Sequence, residues 1–380
     1  MSRPKVAATA APPEPARLDL SGRGVRHARA LPALAAGPHA PHPLHGGAAL
    51  WLGKGCPVGP WIELLAALNL DPHALWPGVV ALDFEGDQWT AFRPPQAELR
   101  ALYGIDVQPL AVWRPLAEHV VEQLVAGRLL ALEVDAFWLA AAGPEVHRRE
   151  HAKTTILLEA VDLDRRRIGF FHDAHFVQAS GDDVAHLLEL EDDTSELEAI
   201  ADWRGSRVAE VGAAAVALAE GRLAPHAEIV RTDRHMARST EELQMLALHH
   251  LGSHLALRPS TNPLRRLAAR LVDDLPLLRD YGEGYGRQWA ANTLRPLGAA
   301  FELAARGIAW QDAPPASPLH GAARAFERIA RDAKTLDQKL ARAIATSAKP
   351  AGLPALLEGM AQAWDDGMAA LDEACQGCGR

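Results

Sequence analysis

The chain has 380 residues, 48% of them apolar, with three cysteines and a net charge of −9. That length exceeds one ordinary domain and supplies enough apolar side chains for two cores. The acidic balance excludes general affinity for nucleic acid, because nothing offsets repulsion from phosphates. Apolar runs break well short of the roughly 18 residues that cross a bilayer. The N-terminus has Arg3 and Lys5 but no apolar stretch behind them, unlike a secretory signal. Three cysteines make no disulfide framework. A cytoplasmic protein with no membrane and no nucleic-acid partner is expected.

Residues 1–38, rich in Ala, Pro and Arg without apolar periodicity, predict a disordered leader. A first domain is expected over 39–235. Its first helix covers residues 60–70, where Trp61, Leu64, Leu65 and Leu68 recur at helical spacing. A second helix follows Pro115, with Gly127 as its stop. Short apolar runs bounded by turn residues predict strands at 79–84, 129–137, 154–161, 168–172 and 229–232. Residues 162–166 (Asp-Leu-Asp-Arg-Arg) read as a hairpin turn between two of them. Helices followed by an antiparallel sheet give an α+β order. From 236 to 380 the strand signals stop, and residues 241–257, 264–278, 289–305, 322–345 and 353–374 read as helices of a second domain.

One constellation carries chemistry. Cys56 follows Gly53-Lys54-Gly55 immediately before the first helix, and a thiolate is favoured near a helix N-terminus or an imidazolium. His151 stands where a strand begins and is the candidate base. Asp173 ends the following strand and is the candidate carboxylate that fixes the imidazole tautomer. A turn centred on residues 164–165 sets paired positions to a sum of 329. His151 then faces Gln178 and sits about 17 Å of strand away from the level of Asp173. A bulge must intervene, or His175 or Gln178 replaces Asp173. Pro57 and Pro60 leave Cys56 about a turn outside the helix, and no Gln precedes Cys56 to complete an oxyanion hole.

The segment 56–70, the run 82–90 (Leu-Asp-Phe-Glu-Gly-Asp-Gln-Trp-Thr), the run 132–135 (Leu-Glu-Val-Asp), the motif at 150–155 and the stretch 292–305 resemble a bacterial family of unknown function. The resemblance covers most of residues 40–310. More distantly, the order Cys, His, Asp is similar to that of the butirosin-type acyltransferase and of papain-like bacteriocin-processing cysteine peptidases. This resemblance implies a papain-like cysteine-protease-type domain with an antiparallel sheet, followed by the C-terminal helical domain. It implies Cys56 as nucleophile, His151 as base and Asp173 as orienting carboxylate. The likeness to the butirosin-type enzyme also implies an acyl or aminoacyl donor held as a thioester on the phosphopantetheine arm of a carrier protein. A small-molecule amine or hydroxyl acceptor is expected, with no bound cofactor and no metal. A cysteine peptidase or amidase, and an inactive binding module of the same fold, are the alternatives.

Asp83, Glu85 and Asp87, with Gln88 beside them, end a predicted strand on one side and are candidate substrate contacts for a cationic acceptor, as is Asp135 on the strand before His151. A solvated acidic turn is the plainer reading. Arg148, Arg149, Arg165 and Arg166, joined by Arg167, form a candidate docking patch for an acidic carrier protein. His39, His42 and His45 read as a loop rather than a metal site, since Pro41 and Pro43 prevent a helix from aligning them. Cys375 and Cys378 form one CxxC in a tail expected to be disordered.

Overall fold

The computed structural model describes residues 25–36, 39–53, 57–113, 115–190, 226–346 and 352–378. Among these, seven strands form one antiparallel sheet: β1 (His27–Arg29), β4 (Asp106–Pro109), β5 (Arg128–Asp135), β6 (Lys153–Asp162), β7 (Arg167–His172), β8 (His175–Ser180) and β9 (Ala227–Arg231). Their order is β4-β9-β5-β6-β7-β8, and β1 joins the far half of β6. The short strands β2 (Phe84–Glu85) and β3 (Gln88–Trp89) make a separate hairpin.

Alternation along β5 divides the core. Leu130 and Leu132 face a cluster with Leu116, Val120 and Leu124 of α3 (Leu116–Val125), while Leu129 and Ala131 face the opposite cluster with Trp61, Leu64 and Leu65 of α1 (Gly59–Ala67). α2 (Gln96–Tyr103) leads into β4, and α4 (Asp182–Leu187) follows β8. The C-terminal region is helical: α5 (Thr240–Leu257), α6 (Pro263–Trp310), α7 (Leu319–Thr346) and α8 (Leu353–Cys378). The mixed α/β architecture with an antiparallel sheet and a helical C-terminal region is therefore as expected.

Several details differ. The leader is ordered over part of the stretch assigned to it: β1 pairs His27 with Asp162 and Arg29 with Ala160. Ala30 N donates to the Glu159 carbonyl at 2.8 Å. Three residues are too few to display periodicity. Residues 72–81 form a 3₁₀ helix rather than the start of a strand. Asp71 caps it by accepting the His73 N–H at 3.0 Å, and Pro77 within the run has no donor for a ladder. The two helices expected over 264–305 are present as the two arms of α6, which meet at a kink where Gly282 leaves helical geometry with φ +84°. Cys375 and Cys378 lie in α8, not in an unstructured tail.

The hairpin register is the expected one next to its turn, with Asp162 opposite Arg167 and Ala160 opposite Gly169. A bulge between Leu158 and Ala160 then shifts it, so that Leu157 faces Phe171.

Candidate functional site

The C-terminal end of β5, the N-terminal end of β6 and the turn between β7 and β8 lie at one end of the sheet, and His151 stands there. β5 and β6 pair Asp135 with Lys153, so the residue two positions before Lys153 passes the carboxylate of Asp135. His151 Nδ1 donates to Asp135 Oδ2 at 2.6 Å. Asp135 Oδ1 accepts the N–H groups of Phe137 at 3.0 Å and Ala152 at 3.2 Å, which fixes the carboxylate in turn. The imidazole stacks on the Phe137 ring, with centroids 4.3 Å apart and planes 4° from parallel. In the neutral ring, a proton on Nδ1 shared with the carboxylate leaves the lone pair on Nε2. The His151 side chain is 62% exposed.

Asp173 was expected in the role that Asp135 holds. Its carboxylate instead approaches His172 Nδ1, at 3.7 Å, from the β7–β8 turn, where its own φ is +49°. His172 is buried, and its Nε2 meets the Thr154 hydroxyl at 3.1 Å. Burial holds the His172 pKa below the ordinary imidazole value, against the opposing charge of Asp173. The bulge moves the hairpin by one position only, far less than would bring Asp173 to His151. His175 and Gln178 are exposed positions of β8 opposite His172 and Gly169.

Cys56 lies outside the described residues. On either side of it in sequence, Gly53 and Gly59 press on the β7–β8 turn. Gly53 has φ +85°, and a Cβ there would come within 2.9 Å of the Ala174 Cβ. A Cβ on Gly59 would come equally close, 2.9 Å, to the Asp173 carbonyl oxygen. Both positions demand the smallest residue because backbone meets the turn directly.

Other candidates fall elsewhere. Asp83 pairs with Arg266 of α6 and caps the Phe84 N–H at 2.7 Å, while Glu85, Asp87 and Gln88 are exposed on the β2–β3 hairpin. Arg148 binds Asp183 at 2.7 Å and lies over Trp138. Arg165 pairs with Asp162 at 2.9 Å and Arg166 with Asp182 at 3.4 Å, so these three guanidinium groups of the basic patch already face carboxylates. Arg149 is exposed.

Sequence reasoning missed Glu63. This α1 carboxylate is fully buried, accepts from the imidazoles of His39 and His45, and accepts the His42 N–H at 2.9 Å. Burial pushes its pKa up, but the bonds from His45, the His42 N–H and His39 outweigh burial and leave it below the ordinary carboxylate value. The available signal was one acidic residue in an otherwise apolar helical run, Trp-Ile-Glu-Leu-Leu, with three nearby histidines. Among the described residues no group of three or more His, Cys, Asp or Glu is arranged to hold a metal ion. None of the described helices is long and apolar enough to cross a membrane.

An antiparallel sheet with a paired imidazole and carboxylate at its end, joined to a helical C-terminal region, defines a two-part mixed α/β protein. The chain belongs to the DUF1839 family, whose function is unknown. Residues 40–202 match the DUF1839 N-terminal domain and residues 240–373 the DUF1839 C-terminal domain. No curated protein matches the chain.

Proposed function

We propose that this protein is a thiol-dependent acyltransferase built on a papain-like α+β scaffold, with Cys56 as nucleophile, His151 as base and Asp135 as the orienting carboxylate. The observation that carries the reading is the His151–Asp135 pair: Nδ1 is fixed at 2.6 Å, the ring is stacked on Phe137, and the side chain is exposed. Two glycines bracketing Cys56 press on the turn at the same end of the sheet, which supports placing thiol and imidazole in one site.

The chemistry follows from these groups. His151 Nε2 takes the Cys56 proton, and the thiolate adds to the carbonyl of a thioester on a carrier protein's phosphopantetheine arm. As the tetrahedral adduct collapses, the arm's sulfur leaves and receives that proton back, and an acyl-cysteine remains. An amine or hydroxyl of a small acceptor then attacks, giving its proton to Nε2, and the Cys56 sulfur departs. Asp135 stabilises the imidazolium formed in each half. An exposed imidazole suits a donor delivered on a long arm by another protein, with the exposed Arg149 at the docking side.

Intact-mass measurement after incubation with acyl- and aminoacyl-carrier thioesters tests this. Wild type should gain the mass of the acyl group, and Cys56→Ser should not. An unacylated wild type whose Cys56 alkylates only with an apparent pKa near the roughly 8.5 of free cysteine would sink the reading. Peptide hydrolysis without a carrier would assign the site to a peptidase instead.

A further inference from the structure

The outer face of α7 carries a row of arginines. Residues 324, 328, 331, 335, 338 and 342 follow one another at intervals of four and three and so share one side of the helix. Arginine stands at four of these positions, and Arg324, Arg328, Arg331 and Arg342 are all exposed. The opposite side, with Phe326, Ile329, Ala333, Leu336 and Leu340, is sealed in the core. α7 holds six Lys or Arg against three acidic residues, in a chain whose net charge is −9. Two of those acids are engaged within the helix: Asp332 with Arg328 at 3.4 Å and Asp337 with Lys334 at 3.5 Å. The third, Glu327, is exposed beside the row. Among the described residues no carboxylate pairs with Arg324, Arg331 or Arg342, whereas exposed arginines such as Arg100, Arg165 and Arg265 do face carboxylates.

The chemistry of the row selects its partner. Arg324 and Arg342 stand about 27 Å apart along the axis, with one residue of the row at each turn. A second helix with Asp or Glu at the same intervals repeats at the same pitch, so its carboxylates meet the guanidinium groups in register. Ala341 and Ala345, exposed near the Arg342 end, leave room for another backbone to approach. Duplex nucleic acid spaces its charges at roughly 1.7 Å and would also meet the repulsion of the acidic chain around the row. A lipid surface calls for large apolar anchors among the cations, and none of the exposed large apolar side chains of the described residues lies on α7. The row also has a defined place in the molecule. Ile344 packs so closely on Gly286 of α6 that a Cβ there would stand 2.5 Å from it, and the next residue, Arg287, donates to Glu150 Oε1 at 3.3 Å. The Arg342 end therefore adjoins the arm of α6 that reaches the residue before His151.

We propose that the arginine row of α7 is a docking surface for an acidic helix of a partner protein. The inference does not depend on the thiol reading. An acidic carrier protein, the donor of that reading, is one partner of this description.

The test uses the full chain and a synthetic Ala-rich helical peptide of about 20 residues with Glu at alternating intervals of four and three, enough to cover the row. A control peptide has the same composition with its Glu residues spread around the helix. Binding is read by fluorescence anisotropy at low and physiological salt. Wild type should bind the striped peptide more tightly than the control, and salt should weaken that binding. The triple variant Arg324→Glu, Arg331→Glu, Arg342→Glu should bind it at least about tenfold more weakly, since like charges then face each other. If that variant fails to fold, the triple replacement by Gln is judged by the same loss. Equal binding of the two peptides by wild type, or an undiminished affinity in a folded triple variant, overturns the proposal. Duplex DNA or vesicles of anionic phospholipid binding through the same three arginines more tightly than the striped peptide overturns it in favour of a polyanion site. Self-association of wild type that the triple variant abolishes overturns it in favour of a second copy of the chain. None of these readouts involves Cys56, so each leaves the acyltransferase reading where it stands.

Discussion

His151 meets Asp135 because the partner of a residue at a strand's start is set by the neighbouring strand, not by the hairpin that follows. The pair Asp135–Lys153 fixes the level of the two chains, and the Phe137 and Ala152 N–H groups hold the carboxylate at that level. The strand run 129–137 and His151 were both readable from sequence, and so was the candidacy of Asp135 for the site. Its role was not, since the β5–β6 register depends on a long connection that no turn rule constrains. Asp135→Asn would present an amide to Nδ1 and favour the wrong tautomer, so acyl transfer should fall by roughly 10²–10⁴. Asp173→Asn should change the rate by no more than a few fold. Single-turnover acylation of the two variants checks this, and the reverse ranking would return the orienting role to Asp173.

At the scale of elements, the bulge in β6 does more than shift the hairpin. It carries Glu159, fully buried, which accepts the Leu31 N–H at 2.9 Å and Arg29 Nη1 at 3.0 Å and so fastens β1 to the sheet. Burial pushes its pKa up to about 6, past the lowering effect of the Leu31 N–H and Arg29. The folded state then holds this proton more tightly than the unfolded chain, whose carboxyl keeps its ordinary value of 4.5. The stabilisation from that proton is complete below 4.5 and is lost as pH rises through about 6. Glu159→Gln removes the titration. Its urea midpoint relative to wild type should therefore climb between pH 4.5 and pH 7.5, and a difference that is flat or falls over that window would contradict the assignment. The sequence showed the hairpin, its turn and the register beside the turn, because period-2 alternation and turn chemistry are local. The bulge lies where β1 meets β6, and β1 is three residues from a stretch without pattern. Residues 79–84 were misread for a related reason: a short apolar run is the same in a buried strand and a buried 3₁₀ turn, and here Asp71 and Pro77 decided.

For the whole molecule, the division into a sheet-bearing half and a helical half describes the order of elements along the chain but not the division of its core. One cluster joins Leu44, Trp51, Trp61 and Trp76 to Leu294, Phe301, Phe326 and Met360, whereas the second lies on the other face of the sheet around α3. The α6 backbone approaches Trp51 and Trp76 so closely that a Cβ at Gly298 or Gly307 would stand 2.3 or 2.5 Å from the indoles. Glu302 adds three backbone bonds across the same junction. Helical periodicity reveals that a helix has an apolar face but not what covers it, so the sequence separated parts that share one interior. A shared interior cannot melt in halves, because freeing the helices would expose the tryptophans and strip Leu50, Trp51 and Leu52 of their acceptors. Calorimetry should give a single endotherm with matching calorimetric and van't Hoff enthalpies, and far-UV dichroism, dominated by the helices, should coincide with tryptophan fluorescence. A helical transition separated from the loss of tryptophan burial would mean that the two halves fold independently.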